Sequence, residues 1–217
     1  MRAEVPMITL KRGAVLAAPA AVPAAMALVF RWLSHRLSPQ AAYNAGFIIY
    51  WLAGCIGFPM VVLGPRRAAR LLTQGGRPSG VEVLLLILPA AGAVSSELLP
   101  NRNKIDGMLA AVMATTGVIN ATGEELLWRG VFIQEFPYDL LRGRLWPLVG
   151  FSLWHLVPQM ILPSRLGRWR FMLGAGLVGS VSAFSAWRSG GLRNCLVSHM
   201  ATDSCGVTAA QFRLGRT

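Results

Sequence analysis

Apolar stretches of roughly twenty residues, separated by short polar breaks, run along nearly the whole chain. The stretches are 13–32, 42–63, 81–99, 107–134, 146–162, 171–187 and 192–212. A helix needs about 20 predominantly apolar residues to cross the hydrocarbon of a bilayer. The strict apolar–polar alternation of outer-membrane barrel strands is absent, and within such runs only helices satisfy every backbone polar group. The pattern therefore predicts an all-α fold, a polytopic transmembrane helical bundle of about seven to eight helices. Pro19 and Pro23 in the first stretch and Pro89 in the third predict kinks. The breaks, such as Gly64-Pro65-Arg66-Arg67 and Gly75-Gly76-Arg77-Pro78, are too short to hold a soluble domain. Residues 1–217 read as a single membrane domain with no internal repeat. Arg2, Lys11 and Arg12 precede the first stretch. No cleavage site followed by a hydrophilic mature region comes after it, so a retained first helix is expected rather than a signal peptide.

Composition agrees with this reading. The chain is 54% hydrophobic and 14% charged, with a mean hydropathy of +0.50, whereas soluble domains carry about 25% charged residues. The net charge of +12 taken alone suggests nucleic acid as a partner. The distribution of the basic residues excludes it. Lys11, Arg12, Arg31, Arg36, Arg66, Arg67, Arg70, Arg102, Lys104, Arg142, Arg144, Arg165, Arg168 and Arg170 lie at the ends of apolar stretches, where they contact lipid headgroups. With seven spans, the side bearing the N-terminus collects slightly more of them, which favours a cytoplasmic N-terminus. The Ala- and Arg-rich composition points to a bacterial cytoplasmic membrane. Cys55, Cys195 and Cys205 lie in apolar stretches without CxxC spacing and read as reduced packing residues.

A few residues break the apolar pattern. A carboxylate at the centre of a membrane helix costs about 2.5–3.5 kcal/mol, so such groups are candidates for function. The fourth stretch contains Glu124, Glu125 and Arg129. Glu125 and Arg129, four apart, face one another and can pair, while Glu124 points about 100° away around the helix and is available to a cavity. One carboxylate would suffice to neutralise Arg129, so the second calls for another purpose. The fifth stretch places Phe151 and His155 on one face, and the last places His199 and Asp203 on one face. His35, beside Arg31 and Arg36, is expected in solvent. Carboxylate and imidazole groups converging from three helices can activate water, and buried donors can stabilise an oxyanion. The chemistry implied is hydrolysis of an acyl bond such as a peptide. A proton- or cation-coupled transporter using the same residues as a relay is the rival reading. The missing repeat counts against it. An inert scaffold or immunity protein is a third.

Taken in order, Glu124-Glu125-x-x-x-Arg129, Phe151-x-x-x-His155 and His199-x-x-x-Asp203 resemble the CAAX protease and bacteriocin-processing family of intramembrane endopeptidases, which includes the type II CAAX prenyl endopeptidases. The resemblance covers Thr122 to Asp203, with a protease core expected at about 107–212. It implies Glu124 as the base that activates water together with His155. His199 and Asp203 would bind or stabilise the oxyanion, and Arg129 would hold Glu125. An ionised Asp203 cannot donate a hydrogen bond, so it would orient His199 or be protonated. The resemblance implies a peptide or membrane-anchored protein as substrate and the lipid bilayer as surroundings. No cofactor is expected. The alternative is zinc on Glu124, His155 and His199, which form a three-ligand set, although the chain has no HExxH.

Overall fold

The computed structural model describes residues 4–216. Arg2, counted above with the basic cap of the first stretch, lies outside them. The described residues form nine helices and no strand. They are α1 (Glu4–Ser34), α2 (Pro39–Leu63), α3 (Pro65–Thr73), α4 (Gly80–Lys104), α5 (107–135), α6 (141–154), α7 (Arg168–Ser189), α8 (Arg193–Asp203) and α9 (Val207–Arg213).

Local chemistry sets the helix starts. The side chains of Ser38, Ser79 and Asp106 accept from the amides of Ala41, Glu82 and Leu109, at 3.4, 3.3 and 2.8 Å, each satisfying an otherwise orphaned N–H. Pro39 and Pro65 occupy first-turn positions, where a missing N–H loses nothing. The Leu109 amide and the Arg216 guanidinium together hold the Asp106 carboxyl below the usual carboxylate range. Gly64 separates α2 from α3 at φ 76°, a left-handed conformation that glycine adopts without penalty. Four helices contain a wider, π-type turn, and two of these, at Tyr50–Gly57 and Leu126–Gly130, flank the residues singled out above. Such turns recur at functional sites.

Helices α1, α2 and α4 contain 25-residue stretches long and apolar enough to cross a membrane: Leu10–Ser34, Pro39–Leu63 and Gly80–Lys104. On α4 the side chains of Val81, Leu84, Ile87 and Leu88 are each more than half exposed. An apolar face of that extent is suited to lipid and not to water. The later stretches depart from simple spans. The 107–134 stretch is one helix, but it carries Glu124, Glu125 and Arg129 in its interior. The 146–162 stretch leaves the helix after Trp154, because Pro158 has no N–H to continue the ladder. The 192–212 stretch is two helices, α8 and α9, broken at Ser204-Cys205-Gly206. Against the expected seven to eight helices, the described residues form nine, of which three are long and apolar enough to cross a membrane, and the second half is more irregular. Helix α1 continues through Pro19 and Pro23. In the turn before Pro19, the Trp146 indole donates to the Leu16 carbonyl at 2.7 Å. All three cysteines are free and buried.

Polar contacts sort the helix ends into two groups. Lys11 pairs with Glu135, Arg188 donates to the Arg77 carbonyl, and Arg193 donates to the Gly75 carbonyl, which places residues 11, 75–77, 135 and 188–193 at one end. At the other end Gln40 and Asn44 donate to the Arg213 carbonyl, Thr208 donates to Glu97 and Arg216 pairs with Asp106. Helix α8 lies between α4 and α5, α1 packs on α2 and α6, and α7 packs on α6 and α8. At the first end the short basic helix α3 and the segment after it grip the start of α8. Leu192 N–H donates to Leu71 O at 2.8 Å, Arg193 N–H to Gln74 O at 3.0 Å, and the Asn194 side-chain amide to Gly76 O at 2.9 Å. Buried Glu82 on α4 accepts from Ser185 (2.6 Å) and Arg188 (2.6 Å) on α7. Without tail-against-water driving force between helices in lipid, small residues at close crossings supply the packing. Helices α5 and α8 meet in this way at Gly117, where a Cβ would lie 2.8 Å from the Ser204 amide nitrogen. Gly117→Val is therefore expected to force the two helices apart and remove about 1–3 kcal/mol of stability, read as a lower melting temperature in detergent; an unchanged melt would refute the close crossing.

Candidate active site

The interior of α5 carries the two carboxylates, and both are buried. Their surroundings differ. Glu125 Oε1 lies 3.2 Å from Arg129 Nη1 one turn along the helix and 2.8 Å from His199 Nδ1 on α8. It is thus shared by two cationic or donor groups from different helices. Arg129 is buried as well, its guanidinium lies 4.1 Å from the Phe151 ring centre, and its Nη2 donates to the Gly179 carbonyl on α7 at 3.4 Å. The expected pairing of Glu125 with Arg129 is present, and Phe151 supplies the ring face against which the cation stacks.

Glu124 points away from Arg129, as its position on the helix requires. Its Oε1 accepts from the Trp154 indole N–H (2.9 Å) on α6 and from the Tyr50 hydroxyl (3.1 Å) on α2. The Trp128 indole in turn donates to the Tyr50 oxygen at 2.8 Å, so the hydroxyl proton is directed at the carboxylate. Glu124 Oε2 is buried without a hydrogen-bond partner among the described residues. The group nearest to it in the cluster is His199 Nε2, at 3.6 Å. His199 is therefore surrounded by carboxylates: Glu125 at Nδ1, and Glu124 Oε2 and Asp203 Oδ2 (3.4 Å) at Nε2. Because Nδ1 faces an ion-paired carboxylate, it carries a proton. Asp203 is partly exposed and also accepts from the Asn120 side-chain amide at 2.8 Å. Asn120 Oδ1 accepts from the Trp51 indole at 2.9 Å.

The structure thus brings Glu124, Glu125, Arg129, His199 and Asp203 into one cluster, with Phe151 packed against it. His155 is adjacent but not part of the hydrogen-bonded set. Its Nδ1 lies 2.8 Å from the Phe151 carbonyl and its ring packs edge-on to Phe151 at 4.5 Å. Among the described residues it makes no hydrogen bond or ion pair with Glu124 or His199; its neighbour Trp154 contacts Glu124 instead. The three-ligand set Glu124, His155 and His199 is consequently not assembled. Among the described residues no three His, Cys, Asp or Glu side chains are placed to share one ion.

Residues 106–205 match the family model described as type II CAAX prenyl endopeptidase Rce1-like. The matched segment is 100 of the 217 residues and is similar to that family. No curated protein and no solved structure matches the chain.

The matched segment runs from the cap of α5 to the break after α8 and includes both carboxylates, Arg129, Phe151, His155, His199 and Asp203. The three long apolar helices lie before the matched segment, in the first half of the chain. Tyr50, which donates to Glu124, and Trp51, which donates to Asn120, come from α2, outside the matched segment. Tyr50, Trp51, Asn120, Trp128 and Trp154 were not singled out in the sequence. Part of the signal was there: Asn120, Glu124 and Trp128 are spaced four apart on α5 and so share a face. The contributions of α2 and α6 had no such signal, since an aromatic residue in an apolar helix reads as packing.

Removing either member of the Glu125–Arg129 pair leaves the other charge buried and unmatched. Glu125→Ala and Arg129→Ala are each expected to cost about 3–5 kcal/mol, measured by thermal melting of the detergent-solubilised protein. Wild-type melting of both variants would discard the ion pair as a structural element.

Proposed function

We propose that the chain is an intramembrane endopeptidase that hydrolyses a peptide bond with water activated by Glu124. The observation that carries this reading is the asymmetry of the Glu124 carboxylate. One oxygen is held by Tyr50 and Trp154, and the other is buried, unpartnered and turned toward His199 Nε2. A carboxylate so fixed can take a proton from a water held at Oε2 while that water attacks the substrate carbonyl. The carbon–oxygen bond forms and the carbonyl oxygen gains the electron pair. A proton on His199 Nε2 supports that developing charge. Collapse of the intermediate breaks the carbon–nitrogen bond, and Glu124 returns its proton to the departing amine. Asp203 orients His199. His155, whose Nδ1 is used on the Phe151 carbonyl, offers Nε2 as an acceptor that orients water or substrate. Glu125, Arg129 and Phe151 hold the imidazole and the helix in place.

In this reading catalysis requires no metal, and residues 107–212 form the protease core. The chain acts as one membrane unit, because α2 supplies Tyr50 to the base. The substrate is a membrane-anchored peptide or protein, which reaches a site enclosed by helices from within the bilayer. The family match, to a type II CAAX prenyl endopeptidase model, makes a lipid-modified peptide the first substrate to test.

Glu124→Gln keeps the shape of the side chain and an acceptor for Tyr50 and Trp154 but cannot take the proton. It is expected to lower turnover by about 10²–10⁴-fold with little change in melting temperature. Comparing peptide termini in membranes carrying wild type and Glu124→Gln identifies the substrate; wild-type cleavage by the variant would overturn the assignment of the base. Treatment of the purified protein with a chelator is expected to leave turnover unchanged, whereas a loss restored by added zinc would replace the metal-free scheme.

A further inference from the structure

We infer that Asn120 is a positioning residue of this site, its amide locked by Trp51 so that it holds Asp203 against His199; this deepens the proteolytic reading and rests on it. The donor and acceptor roles follow from chemistry. An indole N–H can only donate, so Asn120 Oδ1, 2.9 Å from Trp51 Nε1, is the acceptor. The amide nitrogen must therefore be the atom that faces Asp203, and it donates to Oδ2 at 2.8 Å. The same oxygen lies 3.4 Å from His199 Nε2. A single chain of groups thus runs from α2 through α5 to α8, and Trp51 fixes the direction of its first two links.

Asp203 needs such a hold. It stands at the last position of α8, just before the break at Ser204, and it is partly open to solvent. A free carboxylate there would rotate toward water and away from Nε2 of the imidazole, which it now faces at 3.4 Å. Asn120 is well placed to prevent this, one helical turn before Glu124 on the same face of α5. Trp51 is itself restrained, buried against Phe47 and lying beneath the Arg213 guanidinium at 4.9 Å from its ring centre. An asparagine that merely tied two helices together would affect stability and binding. A positioning residue affects turnover, and its effect depends on which partner donates.

The test uses the full chain in lipid nanodiscs, with turnover measured on a prenylated peptide. Asn120→Leu is expected to lower kcat by about 100-fold with little change in KM or melting temperature. Asn120→Asp sets two carboxylates against each other and is expected to be at least as poor. The exchange Asn120→Asp with Asp203→Asn restores a donor facing an acceptor and leaves an amide oxygen for His199; it is expected to recover roughly tenfold over Asn120→Asp alone. Should Asn120→Leu fail to insert, Trp51→Phe removes only the indole N–H and is expected to lower kcat by about fivefold, the loss of one hydrogen bond. A readout independent of activity is the indole N–H resonance of Trp51 in ¹⁵N-tryptophan-labelled protein, identified with Trp51→Phe. Asp203→Ala is expected to shift it through Asn120. An unmoved resonance, or wild-type kcat in folded Asn120→Leu and Trp51→Phe, overturns the inference. Full activity of Glu124→Gln alongside a shifted resonance would instead sink the proteolytic scheme and leave the positioning chain standing.

Discussion

A charge buried among apolar helices has to meet its counter-charge inside the protein, and in this chain that requirement converges on one atom, Glu125 Oε1. It faces Arg129 on its own helix and His199 on α8. The arginine contact could form in an isolated helix. The histidine contact exists only when α8 lies against α5, so the carboxylate joins the two helices and selects their register. Gly117 lets the same helices approach closely a little further along. Arg129 extends the constraint to α6 through the Phe151 ring and to α7 through the Gly179 carbonyl. Four of the helices are thereby held by a single buried ionic cluster.

The two adjacent glutamates illustrate how environment divides the labour of identical side chains. Glu125 is matched by opposite charge and serves the architecture. Glu124, about a quarter-turn away, meets neutral donors, an indole and a phenol, which orient it without neutralising it. Oε2 of each glutamate lacks a hydrogen-bond partner among the described residues, and that of Glu124 lies 3.6 Å from His199 Nε2.

Much of this was legible in the sequence. The long apolar runs predicted an all-helical fold, and most of the ionisable residues inside them meet in one buried cluster. Four-residue spacing was enough to pair Glu125 with Arg129 and to set His199 and Asp203 on one face. Other features were not readable. Helix period does not reveal which helix lies opposite, so Tyr50 and Trp154 could not be distinguished from ordinary packing aromatics. The π-type turns that follow Tyr50 and Glu125 carry no residue signature of their own. His155 and Trp154 are neighbours in sequence; which of them reaches Glu124 depends on where α6 ends, and hydropathy runs on smoothly past that point. The break at Ser204 was hidden for the same reason.

Helix α3 is short and basic, with Arg66, Arg67 and Arg70 exposed and Ala68 and Leu71 turned inward. Its backbone and that of the following segment accept from the first amides of α8. Arginines of this kind ride in the headgroup layer, while His199 sits about two turns further along α8. The height of the bilayer surface is thereby coupled to the depth of the imidazole. On the proposed reading, membrane thickness and surface charge become physical variables of the cluster around His199.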